Sequence, residues 1–267
     1  MRAKALFLVE RSGYMSIDVK YTTNEEKRMI QGIQKAYNAV DNGIIGNQTL
    51  SEIAKDKCPE VFPLTLTIYG MPTIIAKDII PFDPNGSISG YSNTISGSYS
   101  YPAGQKPCSI LINNGKTICG FSSHAWLGFK ESVIYEKFND AIGICRASYD
   151  TEIPDRANVK WAVGGAGLLD NYNPKLEGFS KFVANGKTYD YSDVWRRTNH
   201  TILGIKDGYK YLVYIKNMNS AEMNTFCDKM GFEYALKLDG GHIAAINSLE
   251  FKINLSQTQG YAIQGVK

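Results

Sequence analysis

Residues 231–242 read GFEYALKLDGGH and combine the signals for a helix end, a strand and a polar turn. Upstream, apolar residues between Ser220 and Met230 recur at helical intervals, with Ser220 as the predicted cap and Gly231 as the end of the helix. Residues 234–238 form an apolar run of strand length, and its carboxyl end delivers Asp239. Because sites favour such strand ends in α/β sheets, Asp239 is the first candidate site residue.

Hairpins are predicted on the amino-terminal side of this segment. Turn dipeptides between apolar runs indicate hairpins over residues 62–80, 109–121 and 201–215, with further strands at 141–147 and 160–163. Residues 81–104 are rich in Gly, Ser, Asn and Tyr and predict a loop or a boundary. Residues 5–21 predict two short strands around Ser12 and Gly13, and residues 23–55 predict two helices joined by a glycine-containing turn.

Composition excludes several classes of function. A net charge of +3 without a basic stripe argues against nucleic-acid binding, and no apolar run approaches the ~20 residues of a membrane-spanning helix. The five cysteines form no C-x-x-C pair, which predicts reduced thiols and no metal site, and no cofactor motif is found. The apolar run at 5–9 is too short for a signal-peptide core, so we expect synthesis in a reducing cytoplasm.

The segment from residue 33 to residue 50 contains QKA, then DNGIIG, then QTL. This order resembles the peptidoglycan-binding repeat of cell-wall hydrolases and implies a wall-binding segment over residues 1–61, followed by a main domain over residues 62–267. The alternative is a helix-turn-helix that only packs against the main domain.

Four blocks in the main domain occur in the order of the phosphodiester glycosidase family. Residues 93–99 (NTISGSY) resemble its N-G-x-F block, residues 162–170 (AVGGAGLLD) its glycine-rich segment, residues 200–205 (HTILGI) its R-T-A-I-G strand, and residues 236–242 (LKLDGGH) its L-D-G-G-G-S block. The resemblance implies an α+β fold, with mixed sheets and helices packed alongside.

The resemblance also implies site residues. Catalytic roles fall on Asp239 as general base or nucleophile, on Asn93 as a sugar-orienting amide and on His200. Groups for binding the substrate and its phosphate are Gly164, Gly165, Arg197, Thr201, Gly240, Gly241 and His242.

Two departures from the family pattern stand out. The family arginine falls on His200, which would then act when protonated, unless Arg196 or Arg197 supplies the charge. The third glycine and the serine of the last block are replaced near His242.

The implied function is hydrolysis of a sugar-1-phosphodiester in a cell-wall or phosphosugar polymer, by a protein of phage or Gram-positive origin that acts at the wall after lysis or within a virion. The leaving phosphate is a weak base, so one carboxylate and one cation suffice, whereas ordinary glycosidases need two carboxylates. The alternatives are a catalytically degenerate binding protein for a phosphosugar or nucleotide, and a phage structural component.

Asp239-Gly240 taken alone is also a common hairpin turn. The sequence leaves the oligomeric state open.

Overall fold

The computed structural model describes residues 62–100 and 106–267, and three short strands before them. The predicted helices of residues 23–55 and the peptidoglycan-binding-like segment lie outside these residues, apart from the strand Ile45–Gly46. The two strands expected around Ser12 and Gly13 are confirmed, because Leu6–Val9 and Ser16–Val19 pair antiparallel. The boundary at residue 61 stays a prediction.

The described residues contain twenty strands and one α-helix. The helix is α1 (Ser220–Met230). In chain order the strands are β1 (Leu6–Val9), β2 (Ser16–Val19), β3 (Ile45–Gly46), β4 (Leu64–Ile68), β5 (Met71–Ala76), β6 (Asp78–Phe82), β7 (Thr94–Ser96), β8 (Leu111–Asn113), β9 (Lys116–Cys119), β10 (Glu131–Lys137), β11 (Ile142–Ala147), β12 (Val159–Gly167), β13 (Lys181–Ala184), β14 (Lys187–Asp190), β15 (Thr198–Lys206), β16 (Tyr209–Met218), β17 (Tyr234–Gly240), β18 (Ile246–Asn247), β19 (Lys252–Ile253) and β20 (Ala262–Val266).

These strands form two large sheets and one separate hairpin. The main sheet has the order β11-β10-β12-β17-β15-β16-β5-β4-β1-β2-β3, with β8 and β9 attached beside β12. The second sheet has the order β19-β18-β7-β20-β6, and β13 pairs only with β14. Every pairing is antiparallel except that of β1 with β4.

The expected α+β class is therefore corrected to a mostly antiparallel β fold with a single α-helix in the described part of the chain. The reason lies in the connections. Two-residue turns such as Asn114-Gly115 and Asp207-Gly208 join consecutive strands, and strands joined by such short turns must run antiparallel. The preference of sites for the carboxyl ends of strands applies to α/β sheets. Because β17 pairs antiparallel with both neighbours, that preference does not explain the position of Asp239.

The core lies on both faces of the main sheet. Neighbouring residues of one strand point to opposite faces, so Ile202 packs with the cluster around α1 whereas Leu203 packs with the second sheet. Helix α1 covers the first face with Met223 and Phe226, and burying each such side chain contributes roughly 1.5–3 kcal/mol. None of the helices in residues 62–100 and 106–267 is long and apolar enough to cross a membrane.

Two local expectations are corrected. The cap of α1 is Asn219 rather than Ser220, because the Asn219 side chain accepts from the Glu222 N–H at 3.1 Å and Glu222 accepts from the Asn219 N–H at 2.9 Å. The predicted loop at 81–104 contains β7, which lies between β18 and β20.

The three hairpins expected at 62–80, 109–121 and 201–215 are confirmed.

Candidate active site

The carboxyl end of β17 carries two charged side chains on one face. Leu236 and Leu238 point into the core beneath the second sheet, so Lys237 and Asp239 point to the opposite face. Strand β17 lies between β12 and β15, and the main-chain N–H of Asp239 donates to Gly97 O at 2.9 Å. The segment that follows β7 is thereby held against the end of β17.

Lys237 is the most deeply buried cation of this region, with only 2% of its surface exposed. Its Nζ donates to Leu238 O at 2.8 Å and to Tyr99 Oη at 3.3 Å, and lies 5.0 Å from the centre of the Tyr99 ring. Burial lowers the pKa of the Lys237 ammonium to about 8, although the Asp239 carboxylate acts in the opposite direction. At neutral pH Lys237 is still mostly charged.

Asp239 is half-buried. Burial raises the pKa of its carboxyl above the ordinary value, while the Lys237 charge, the Gly240 N–H and the His242 charge lower it. The Gly240 N–H donates to Asp239 Oδ1 at 2.7 Å. The carboxylate thus has a fixed orientation and a neighbouring cation.

Two buried glutamates that the sequence did not single out lie nearby. Ser109 donates to Glu131 Oε2 at 2.5 Å and the Ile110 N–H donates to Oε1 at 2.6 Å. Glu177 accepts from Ser132 Oγ at 2.5 Å and from the Gly167 N–H at 2.9 Å. Each glutamate is 1% exposed. The donors lie 10 to 45 positions along the chain from the glutamate that they contact, so no short sequence motif could have revealed the pair.

Burial changes the protonation of both glutamates. It raises the pKa of Glu131 to about 8 and that of Glu177 to about 7, despite the hydrogen bonds that favour the ionised forms. Burial also raises the pKa of the Tyr99 phenol, and Asp239, Glu177 and Glu131 each raise it further. Tyr99 therefore lies among three carboxyl groups, with Lys237 beside it.

His200 is close to this cluster but does not carry the expected charge. It is 1% exposed on β15, opposite Gly240, and its Nε2 lies 3.1 Å from Arg196 O. Burial, followed by the charge of Lys237, lowers the pKa of the imidazole to about 4. His200 is therefore neutral at pH 7 in this environment, which argues against its acting as a protonated substitute for an arginine, and that role stays a prediction.

Neither arginine fills that role within the cluster. Arg197 forms an ion pair with Glu222 at the start of α1 and donates to Asn217 O at 2.9 Å. Arg196 is exposed and pairs with Asp193 at 3.2 Å, and one of its terminal nitrogens lies beside Gly241. Its charge reaches Lys237, whose pKa it lowers.

The predicted glycines are close to the charged groups, but their N–H groups are partly used. A Cβ at Gly164 would overlap the Glu131 carboxylate, and a Cβ at Gly240 would overlap the His200 ring. The Gly164 N–H donates to Ile110 O at 2.8 Å, which leaves it unavailable to an anion. Gly165 lies against Lys237 O, and Gly241 has a φ of +71°, which favours glycine.

Three other predicted residues lie in different positions. Thr201 Oγ1 donates to Ser96 O at 2.9 Å and ties β15 to β7 from within the core. His242 is exposed beside Asp239 and lowers its pKa. Asn93, at the start of β7, lines a separate polar depression with Ser248 and does not contact the carboxyl cluster.

Comparison with known proteins gives four findings. The family model described as phosphodiester glycosidase matches residues 89–260. The zebrafish N-acetylglucosamine-1-phosphodiester alpha-N-acetylglucosaminidase catalytic domain, auto-inhibited by its pro-peptide, superposes with a TM-score of 0.52 at 13% identity, over 76% of this chain and 81% of that one. A hypothetical protein from Synechocystis gives a TM-score of 0.44 at 12% identity, over 75% of this chain and 60% of that one. No curated protein sequence matches the chain.

Proposed function

Because the chain belongs to the phosphodiester glycosidase family, we propose that it is a hydrolase that breaks the bond between C1 of a sugar and a phosphodiester oxygen. The observation that carries this proposal is the half-buried Asp239, whose carboxylate is oriented by the Gly240 N–H at 2.7 Å, at the edge of a buried polar cluster. Such a group is suited to attack or to activate water at an anomeric carbon.

In the proposed reaction, the C1–O bond breaks and its electron pair stays on the phosphate oxygen, which leaves as a phosphomonoester. Asp239 either removes a proton from the water that attacks C1 or attacks C1 itself, and water then releases the sugar. The leaving phosphate is a weak base, so charge stabilisation matters more than proton donation.

The raised pKa values of the two glutamates support binding of an anionic substrate. Three ionised carboxylates around Tyr99 would repel a phosphate. With a pKa of about 8, Glu131 is mostly protonated at pH 7, and Glu177, with a pKa of about 7, is protonated in about half of the molecules. At pH 7 the site therefore carries less negative charge than three ionised carboxylates would give it. We assign to both glutamates the role of setting the electrostatic potential of the site, and to Asp239 the role of the reacting carboxylate.

As substrate class we propose a sugar-phosphate polymer of a cell wall, such as a teichoic acid. This rests on the sequence resemblance of residues 33–50 to a peptidoglycan-binding repeat. His242 is exposed beside Asp239 and could contact the part of such a polymer that extends beyond the scissile bond.

The test is sugar release from a panel of sugar-1-phosphate diesters and purified wall polymers. Asp239→Asn should lower turnover by on the order of 10²–10⁴-fold with little change in melting temperature, since the carboxylate contributes to the barrier rather than to the core. Asp228→Asn, an exposed aspartate of α1, is the matched control and should retain full activity. Wild-type release that survives Asp239→Asn would remove Asp239 from the mechanism.

One observation favours a second candidate, a binding protein without turnover. His200 occupies the position that the sequence resemblance gives to the family arginine, and it is neutral at pH 7. A protein of this kind would bind a phosphosugar or a nucleotide without releasing free sugar from any diester. Calorimetric binding combined with the absence of release distinguishes it from the hydrolase.

A further inference from the structure

We propose that Lys237 is the cation that binds the phosphate group of the ligand at this site. That the ligand contains a phosphate rests on the proposed function. That Lys237 binds it rests on the geometry of the site. Lys237 lies two residues before Asp239 on the same face of β17. A phosphate bound to its ammonium group would bring the adjoining sugar towards the Asp239 carboxylate.

The two hydrogen bonds of Lys237 leave one N–H group of its ammonium for a ligand. An ammonium group has three N–H donors. Two of them are directed to Leu238 O and Tyr99 Oη, and both acceptors are uncharged. One donor remains for an anion.

The charge of Lys237 is also uncompensated at short range. In the described part of the chain, no carboxylate lies within the 4.0 Å that defines an ion pair with its Nζ. By contrast, Lys210, which is equally buried, forms an ion pair with Glu136. Burying a cation costs several kcal/mol unless an anion compensates it. A phosphate would supply the missing counter-charge.

The other basic groups of the region are unsuited to this role. His200 is uncharged at neutral pH, Arg197 is committed to Glu222, and Arg196 is exposed and paired with Asp193. A solvated arginine interacts weakly with an anion, because water and salt screen the charge. Lys237 is the group whose charge is both present and shielded from water.

The same position has a catalytic consequence. When the C1–O bond breaks, its electron pair adds a negative charge to the leaving phosphate. An ammonium that already contacts the phosphate stabilises this charge more strongly than the charge of the intact diester, which lowers the barrier.

The pH dependence of phosphate binding follows from the groups around Lys237. These are Tyr99 from the segment after β7, Asp239 on its own strand, His200 on β15, and Asp193 and Arg196 from the turn before β15. Because the amine form has no charge, affinity for phosphate should fall as the pH rises above about 8. Conversely, bound phosphate should raise the pKa of Lys237.

The experiment uses the full chain with inorganic phosphate and N-acetylglucosamine 1-phosphate as probes, measured by calorimetry at pH 7. Lys237→Met should weaken both by at least tenfold, which corresponds to about 1.4 kcal/mol. Lys206→Met is the matched control and should bind as the wild type does. Lys206 is a partly buried lysine that, like Lys237, donates to a main-chain oxygen, in its case Met230 O at 3.0 Å, but it lies at the far end of β15.

A second measurement needs no variant and therefore stands even if Lys237→Met does not fold. In wild-type protein labelled with ¹³C at lysine Cε, the lysine that titrates near pH 8 should titrate at higher pH once phosphate is added. A wild-type chain that binds neither probe, or a lysine pKa that phosphate leaves unchanged, overturns the proposal.

The outcome also separates this proposal from the proposed hydrolysis. Phosphate binding that depends on Lys237 without any diester cleavage supports Lys237 and refutes the hydrolase. Cleavage that depends on Asp239, with phosphate affinity unchanged in Lys237→Met, refutes Lys237 and leaves the hydrolase intact.

Discussion

Replacing Glu131 by glutamine should make the protein more stable at alkaline pH. The Glu131 carboxyl has a pKa of 4.5 in an unfolded chain and about 8 in the folded protein, mainly because of burial. The folded state therefore binds the proton more tightly, and stability is lost as the pH rises from 4.5 to about 8. Each pKa unit corresponds to about 1.36 kcal/mol, so ionised Glu131 costs on the order of 5 kcal/mol above pH 8.

Glutamine avoids this cost because it stays neutral at every pH. Its carbonyl oxygen can accept from the Ile110 N–H in place of Oε1, and its amide can donate to Ser109 Oγ. The difference in unfolding free energy between Glu131→Gln and the wild type should therefore be small near pH 5. It should grow by several kcal/mol towards pH 8.5.

Urea unfolding at pH 5, 7 and 8.5 measures this difference. Glu152→Gln is the control, since Glu152 is a partly exposed carboxylate that pairs with Lys130 at 2.9 Å and has a lowered pKa. It should not gain stability at high pH. If the difference for Glu131→Gln is the same at pH 5 and pH 8.5, the Glu131 carboxyl titrates normally and the argument from burial fails.

Two further predictions concern the same cluster. Gly164→Ala should destabilise the fold by about 1–3 kcal/mol in thermal or urea unfolding, because the new Cβ would overlap the Glu131 carboxylate. Gly90→Ala is the control and should be neutral, because a Cβ at Gly90 meets open space. Equal stabilities of the two variants would contradict this prediction. In NMR titrations the His200 ring should show no protonation between pH 5.5 and 8, as its pKa is about 4, and a midpoint near 6.5 would mean that the ring is solvated.

The sequence predicted the local elements well, since turn dipeptides and apolar periodicity act over a few residues. The hairpin through Asn114-Gly115 and the extent of α1 are examples. It did not predict the fold class, because the pairing of β7 with β18 and β20 depends on residues more than 140 positions apart. Short strands such as Thr94–Ser96 have too few residues to show an alternating pattern within a glycine-rich segment.

The family motifs led to only part of the candidate site, and the last of them contains Asp239 and the two glycines that follow it. Asp239 follows from that motif, whereas Lys237 was read as part of an apolar strand. The protonation of His200 and of the two glutamates depends on how deeply each is buried. Burial is set by the packing of the sheets and leaves no mark in the local sequence.

The position of β20 has a consequence for how the molecule assembles. This strand lies between β7 and β6, and β6 has no other partner in the described residues. The second sheet therefore cannot close until residues 262–266 have been synthesised, about 165 residues after β7. Contacts of such high sequence separation make folding slow. Since β7 leads directly into the segment held against Asp239, pulse-labelling hydrogen exchange should find the Asp239 amide among the last to become protected. Protection of that amide before β20 would argue against this order.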